Sequence, residues 1–131
     1  MGSHAMMQRD RASAALGMDV LANEPGRAVV SMRVREDMLN GHDIAHGGLI
    51  FALADTAFAI ACNDTDDVTV ASGAEITFLK PTRLDQTLTA TATARATFGR
   101  SGIYDVRVAD ENDDTVAEFR GHSRRMKGAE Q

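Results

Sequence analysis

The sequence of 131 residues has one cysteine, Cys62, two prolines and no tryptophan. A single cysteine cannot form a disulfide within the chain, and it excludes a zinc site built from several cysteines. This use of cysteine is typical of a reducing compartment, so we expect a cytoplasmic protein. A basic excess is also missing, because 14 Lys and Arg stand against 19 Asp and Glu, for a net charge of −5. Nucleic-acid-binding proteins usually carry that excess, and we predict no nucleic-acid partner.

The long apolar run that a membrane segment requires is absent as well. The longest such run, Gly47–Cys62, is interrupted by a carboxylate and is shorter than the roughly 20 residues that span a bilayer. We therefore predict no membrane partner, and no secretion signal precedes the run. Residues 1–5, which begin Met-Gly-Ser-His, resemble a cloning remnant, and residues 6–131 have the length of a single domain.

The composition that is present, 44% hydrophobic and 25% charged, is that of an ordinary globular domain and not of a disordered chain. Good helix formers predict a helix over residues 8–16. Short strands are predicted over 18–22 and 27–34, with a turn at Pro25-Gly26 between them. A loop over 36–45 follows.

The segment Gly47–Cys62 is apolar on every face, which predicts a buried helix. Strands are predicted over the ranges 68–79, 87–97, 102–109 and 115–125. In the second of these, Leu88 and the alanines at 90, 92, 94 and 96 fall on one face. A face of such small side chains leaves room for a helix, so we predict an α+β fold in which an antiparallel sheet curls round one buried helix.

Asp55 is the single charge between His46 and Cys62. Burying a carboxylate without a partner is costly, which leaves two interpretations. In the first, Asp55 pairs with a basic residue from a strand or lies where the helix reaches a surface. In the second, desolvation in an apolar site raises its pKa and it acts as a base or a nucleophile.

The triplet His46-Gly47-Gly48 opens the same helix. It is either a polar cap or a site where the Gly47 N–H and the positive helix end stabilise an oxyanion. Gly47 and Asp55 are eight residues apart, about 12 Å along a helix, which is too far for both to act on one carbonyl. If both are catalytic, a second chain must supply one of them, and the enzyme is at least a dimer with two equivalent sites.

Three stretches together resemble a known family: Asn40-Gly41-His42, Ala45-His46-Gly47-Gly48 and Ala54-Asp55-Thr56-Ala57. They resemble the hotdog-fold acyl-CoA thioesterases of the phenylacetic-acid-degradation (PaaI) type. The resemblance covers nearly the whole chain after the remnant. Further matches are Ala71-Ser72-Gly73, Phe78-Leu79-Lys80-Pro81, Gly102-Ile103-Tyr104-Asp105 and Phe119-Arg120-Gly121.

The resemblance implies a hotdog fold and the hydrolysis of phenylacetyl-CoA and its ring-hydroxylated relatives to free acid and CoA. Coenzyme A is then part of the substrate, and no separate cofactor is expected. By the same resemblance, Asp55 is the nucleophile or activates water, and Gly47 is the oxyanion donor of the partner chain. Asn40 holds the thioester or the water, and Ser72 assists the water. His46 shapes the site, or is simply a helix cap. The implied assembly is a homotetramer of two homodimers.

Six basic residues are candidates for contacts with the phosphates and adenine of CoA, and for each the alternative is a solvated strand end. They are Lys80, Arg83, Arg100, Arg120, Arg124 and Arg125. Residues 120–127 include no acidic residue. The acidic residues are expected to gather elsewhere, at Asp64, Asp66 and Asp67 and at the turn 110–114.

Other functions are less well supported. His42 and His46 with Asp43 fall in a glycine-rich loop, so we predict no metal site. The sequence has no nucleophile elbow, no phosphate-binding loop and no dinucleotide fingerprint. A hotdog dehydratase would need a histidine paired with an acidic residue at a different spacing, which the sequence does not reveal. A non-catalytic acyl-CoA binding module would not need the carboxylate of Asp55.

Overall fold

The computed structural model describes residues 2–63 and 67–126. Two short helices come first and a two-stranded hairpin follows them. These elements are α1 (Gly2–Gln8), α2 (Arg11–Ala15), β1 (Asp19–Glu24) and β2 (Arg27–Arg33). After a loop with a 3-10 turn comes the long helix, and four strands complete the chain. These are α3 (Gly47–Cys62), β3 (Thr69–Phe78), β4 (Thr87–Phe98), β5 (Ser101–Ala109) and β6 (Thr115–Arg125).

The six strands form one antiparallel sheet in the order β1-β2-β4-β5-β6-β3. Helix α3 contacts all six strands. Six strands span about 24 Å, whereas a helix is only about 10 Å wide, so the sheet must curve round α3 to reach it. The predicted α+β architecture is confirmed. In the part of the chain that is described, no helix has the length and apolar character needed to cross a membrane.

The core lies between α3 and the inner face of the sheet. Alternate residues of β2, namely Ala28, Val30 and Met32, are buried there and meet Leu53 and Phe58 of α3 in one cluster. Ala28 near the start of β2 and the small residues at the centre of β4 let the helix approach the sheet closely. The main buried members contributed by the other strands are Leu88, Ala90, Ala92, Val106, Val108, Ala117 and Phe119.

The predicted alternation of β4 holds for only part of the strand. Leu88, Ala90 and Ala92 are fully buried, but the register with β5 shifts between Ala94 and Ala96, and these two residues are exposed. An extra residue in a bulge reverses which side the following residues face. The shift follows Ala94, so it turns Ala96 to the outer face, beside Ile103 of β5. Ala94 stays opposite Tyr104 but is exposed, so the expectation that both alanines pack against the helix is wrong.

The single helix predicted over residues 8–16 is wrong, because Asp10 interrupts it. The Asp10 backbone is extended (φ −81°, ψ 93°) and its side chain accepts a hydrogen bond from the Ser13 N–H, so α2 begins anew at Arg11. Aspartate favours this capping position over a helix interior. Helix α1 starts at Gly2, within the residues assigned to a cloning remnant, and Met6 and Met7 pack against the core.

The end of α3 is tied to β3 by Asn63. The Asn63 side chain donates to the carbonyls of Ala59 and Thr69, and its oxygen accepts from the Thr69 N–H. This bridge fixes where β3 starts relative to the helix. Asp64 and Asp66, two of the acidic residues named from the sequence, lie outside the described residues, as does Lys127 at the end of the segment 120–127.

Gly121 of β6 lets Phe58 pack against the sheet, because a Cβ at position 121 would lie 2.8 Å from three atoms of the Phe58 ring. We expect Gly121→Ala to lower the free energy of unfolding by about 1–3 kcal/mol through overpacking. The loss should be smaller in a Phe58→Leu background, which removes the clash. Urea denaturation of the two single variants and the double variant measures this coupling.

Gly41→Ala is the matched control, since a Cβ at Gly41 meets nothing within 4 Å. Its free energy of unfolding should stay within about 0.5 kcal/mol of the unsubstituted protein. Equal losses from Gly121→Ala in both backgrounds would contradict the packing argument.

Candidate active site

The start of α3 has one amide that is left without a partner. The His46 Nδ1 accepts a hydrogen bond from the Gly48 N–H at 3.2 Å, and the His46 carbonyl accepts from the Leu49 N–H at 3.0 Å. Within residues 2–63 and 67–126, the Gly47 N–H has no acceptor. A free N–H at the positive end of a 16-residue helix is a donor ready for an oxygen that gains negative charge.

His46 itself is the cap of this helix. Its backbone is extended (φ −63°, ψ 132°), and its ring nitrogen Nδ1 is the acceptor of the capping bond. Because Nδ1 accepts, the proton of the neutral ring is on Nε2. His46 therefore caps the helix. Among the described residues, its bonds to Gly48 and Leu49 leave the N–H of Gly47 as the unpaired amide of the first turn.

A cleft of about 440 Å³ opens at this helix end, between the loop before α3 and the end of β3. Asn40, Gly47, Phe78 and Lys80 are among its lining residues. A Cβ at position 47 would lie 3.0 Å from the Phe78 ring, so glycine is needed for the close approach of Phe78 to the helix. The cleft therefore contains both the free N–H of Gly47 and the apolar surface of Phe78.

Asn40 organises the loop that forms one side of the cleft. Its Oδ1 accepts from the N–H groups of His42 (2.8 Å) and Ile44 (3.4 Å). The Asn40 N–H also donates to the Ile44 carbonyl at 2.8 Å. The Nδ2 group has no acceptor among the described residues, which leaves it able to donate to a ligand.

Asp55 lies partly buried in the middle of α3. Over the described chain, its carboxylate has neither a hydrogen-bond donor nor a cation as a partner, so pairing with a strand cation is not observed there. Its partial exposure agrees with the other form of that interpretation, in which the helix reaches a surface at Asp55. Burial raises the pKa of Asp55, and the negative charge of Asp10 raises it further. Asp55 is thus a desolvated carboxylate whose basicity is increased by its surroundings.

Ser72 is not part of the Gly47 cleft of its own chain. It lies at a register shift between β3 and β6, where its hydroxyl donates to the His122 carbonyl at 3.1 Å. It lines a separate cleft of about 420 Å³ together with Phe98 and Ile103. Ser72 and Phe78 are six positions apart, about 20 Å along a strand. Within one chain, the cleft lined by Ser72 is therefore distant from the Gly47 cleft.

The structure contains a histidine–carboxylate pair that the sequence analysis missed. His122 Nε2 lies 2.7 Å from Glu75 Oε1. The neighbouring Gly121 faces the core, so His122 lies on the outer side of the sheet, and the two side chains are 40% and 70% exposed. Only the register of β3 with β6 brings them together. Their exposure and distance from the core give no support to a dehydratase site.

Two of the six basic candidates make short contacts, of 3.0 Å or less, with carboxylates. Lys80 Nζ lies 2.7 Å from both Asp110 and Asp114, and these contacts raise the pKa of Lys80. Arg120 donates twice to Asp105, at 2.7 and 3.0 Å. The expected separation of acidic and basic residues is therefore wrong, because the acidic turn 110–114 is the partner of Lys80.

The other basic candidates are distributed over two regions. Arg100 and Arg125 line a cleft of about 260 Å³ near the end of α3. Arg124 Nη1 donates to Ser101 Oγ at 3.4 Å, and Arg125 Nε is 3.9 Å from an Asp67 oxygen. Arg83 is exposed in the loop between β3 and β4, next to the Gly47 cleft. Each of these contacts is long or exposed, so an anionic ligand could replace it.

No three His, Cys, Asp or Glu side chains of the described residues converge in a way that could hold a metal ion.

Comparison with known proteins gives a consistent match. A family model described as the thioesterase superfamily matches residues 42–117. The chain is 47% identical over 126 residues to the acyl-coenzyme A thioesterase PaaI of Escherichia coli (strain K12), covering 96% of this chain and 90% of the relative. The structure of the E. coli PaaI protein from the phenylacetic acid degradation operon matches with a TM-score of 0.93, covering 95% of this chain and 91% of that one.

Two other solved structures are similar. A mutant of the phenylacetic acid degradation protein PaaI from Thermus thermophilus has a TM-score of 0.86 at 38% identity, covering 89% of this chain and all of that one (100%). The smu.793 protein of Streptococcus mutans UA159, solved bound to acetyl CoA, has a TM-score of 0.80 at 26% identity. That match covers 83% of this chain and 88% of the other.

The raised pKa of Asp55 predicts how stability depends on pH. The folded state holds the Asp55 proton more tightly than the unfolded state, so ionised Asp55 lowers stability above its folded pKa. The penalty disappears below the ordinary value of 3.8, where both states are protonated. We expect Asp55→Asn to raise the free energy of unfolding at pH 7 by on the order of 1 kcal/mol, with no gain near pH 3.

Urea denaturation at the two pH values measures this difference. Asp19→Asn, at an exposed position on β1, is the control and should change stability by less than about 0.5 kcal/mol. A loss of stability for Asp55→Asn at pH 7 would show that the carboxylate has a partner.

Proposed function

Because the chain belongs to the thioesterase superfamily of hotdog-fold enzymes, we propose that it hydrolyses acyl-CoA thioesters to free acid and coenzyme A. The substrate class is phenylacetyl-CoA and hydroxyphenylacetyl-CoA. The observation that carries the proposal is the pairing of a partnerless Gly47 N–H with a partnerless Asp55 carboxylate on one helix, among the residues described. The name of the E. coli relative and the acetyl CoA bound by the Streptococcus protein support an acyl-CoA substrate. The phenylacetic acid degradation operon of the E. coli protein supports the aryl-acetyl class.

Gly47 supplies electrostatic stabilisation in the proposed mechanism. The thioester carbonyl oxygen accepts the Gly47 N–H, and the positive end of α3 favours the negative charge that builds on this oxygen as the carbonyl is attacked. The absence of a side chain at Gly47 lets the carbonyl reach the backbone. Phe78, on the same cleft, offers the apolar surface that an aryl group requires.

Asp55 supplies the reactive carboxylate. It attacks the carbonyl carbon directly, or it takes a proton from the water that attacks. In either case the C–S bond breaks, and the electron pair leaves on the CoA sulfur as a thiolate. After direct attack, water cleaves the resulting anhydride and regenerates Asp55. The Asn40 amide and the Ser72 hydroxyl orient this water, and the raised pKa of Asp55 increases its strength as a base or nucleophile.

A second copy of the chain completes each site. Gly47 and Asp55 lie on one continuous helix, eight residues and about 12 Å apart, so they cannot meet at one carbonyl. Strand β3 is an edge of the sheet, and the described chain offers no strand to pair with its outer side. Val70 and Phe78 on this strand are 44% and 50% exposed. A partner's β3 would cover these residues and satisfy the free backbone groups, which supports a homodimer.

The proposed assembly is a homotetramer of two such dimers, in the cytoplasm. Phe98, on the cleft that Ser72 lines, is 91% exposed, and Ile103 lies beside it. A large apolar side chain so fully exposed to water favours contact with another subunit.

Subunit complementation tests the shared site. Asp55→Ala should reduce kcat by at least about 10³-fold, and Gly47→Val should reduce it strongly, because a side chain there collides with the Phe78 ring. If each site takes Asp55 from one chain and Gly47 from the other, a mixed dimer of the two variants keeps one intact site. Unfolding the two variants together and refolding them should restore about a quarter of the normal activity, measured by thiol release.

The control for complementation is the double variant Asp55→Ala with Gly47→Val, refolded with each single variant in turn. Neither mixture forms an intact site, so activity should stay at the level of the single variants. If the mixture of single variants recovers no activity although size-exclusion chromatography confirms dimers, the proposal of a shared site is wrong.

The basic segment is tested by charge reversal. Arg124→Glu combined with Arg125→Glu should raise KM for phenylacetyl-CoA about tenfold or more, with kcat little changed, because the phosphates lose two cations. Arg27→Glu combined with Arg33→Glu changes the net charge equally on β2, outside the cleft that Arg125 lines, and should leave KM within about twofold. Unchanged KM in the first variant removes both arginines from the CoA site.

A further inference from the structure

The N-terminal helices are joined to α3 by a chain of hydrogen bonds that ends one residue from Asp55. Asp10 Oδ1 accepts from the Ser13 N–H at 2.9 Å, and Asp10 Oδ2 accepts from the Ser13 hydroxyl at 2.7 Å. Ser13 Oγ lies 2.9 Å from the Thr56 hydroxyl. Ser13 and Thr56 are 3% and 9% exposed, so the bond between their hydroxyls is shielded from water.

The directions of these bonds can be assigned. The single proton of the Ser13 hydroxyl is donated to Asp10, so the Thr56 hydroxyl must donate to Ser13. The chain therefore runs from Thr56 through Ser13 to the carboxylate of Asp10. These bonds hold the Asp10 carboxylate beside α3, where its negative charge acts on Asp55.

Helix α2 is also held at its other end. Arg35 Nη1 donates to the carbonyl of Ala15, the last residue of α2, at 3.0 Å, and Arg35 in turn is bound by both oxygens of Asp37. With Asp10 capping its first turn, α2 is fixed at both ends. Its position over α3 is thus determined by specific contacts.

We propose that Asp10 is a positioning residue of the active site, which holds α2 against α3 through Ser13 and Thr56 and keeps a second negative charge beside Asp55. The inference rests on the proposed function of Asp55. Among the described residues, Asp10 is the charged group that acts on Asp55. Like charges disfavour ionisation of each other, so Asp10 makes Asp55 a stronger base and nucleophile.

Asp10→Asn tests the charge while keeping the cap. Asparagine caps a helix about as well as aspartate, and its Nδ2 can donate to Ser13 Oγ, which then donates to Thr56. The unfolding midpoint should therefore be unchanged. The Asp55 titration, followed by carboxyl ¹³C NMR and assigned with Asp55→Asn, should move to lower pH, since removing an anion lowers the pKa of Asp55. The acid limb of kcat/KM should move in the same direction.

Kinetics at pH 7 separate this role from a structural one. In Asp10→Asn, kcat for phenylacetyl-CoA should fall about three- to tenfold, while KM stays within about twofold.

Glu24→Gln, at the exposed β1–β2 turn, removes one carboxylate elsewhere and should move neither the titration nor kcat. Ser13→Ala keeps the charge but breaks the link to Thr56, so it should lower the unfolding midpoint and shift the titration less.

The outcomes distinguish the two proposals. An Asp55 titration that is the same in Asp10→Asn as in the unsubstituted protein overturns the role of Asp10, whether or not thioesters are hydrolysed. A shifted titration in a protein that hydrolyses no acyl-CoA thioester supports the role of Asp10 beside Asp55 and overturns the proposed function instead.

Discussion

The packing of α3 against all six strands is the constraint on which the rest of the structure depends. A helix enclosed in this way needs an apolar surface and small residues on the strands, which explains the alanines of β2 and β4. It also needs a glycine, Gly121, where Phe58 meets the sheet. Within that apolar setting a carboxylate is costly, which supports the chemical role proposed for Asp55.

The same helix decides which groups are free to react. His46 uses its ring to cap one amide of the first turn and its carbonyl to accept the next, so the free donor is the Gly47 N–H alone among the residues described. Asn40 likewise uses its oxygen within the loop and leaves its amide available. At the middle of the helix, the anion of Asp10 acts on Asp55 from α2. Structural hydrogen bonds thus select the few groups that can contact a substrate.

Much of the fold could be predicted from sequence because its patterns are local. The bounds of α3 follow from an apolar run with glycines at its start, and the β-branched and alternating segments gave five of the strands closely. The errors arose where a local pattern meets a competing interaction. Asp10 prefers to cap a helix and so divides the one predicted over 8–16, and the bulge in β4 reverses the face of Ala96.

For the active site, the sequence by itself determined the residue types and the spacing of Gly47 and Asp55. This spacing predicts a second chain if both residues act on one carbonyl, because helix geometry is the same in every protein. Only the tertiary structure decided which charges meet. It paired Lys80 with Asp110 and Asp114, joined His122 to Glu75, and brought Asp10 to Asp55. These contacts depend on strand register and on the docking of α2, which arise from packing between segments distant in the chain, and no local pattern encodes them.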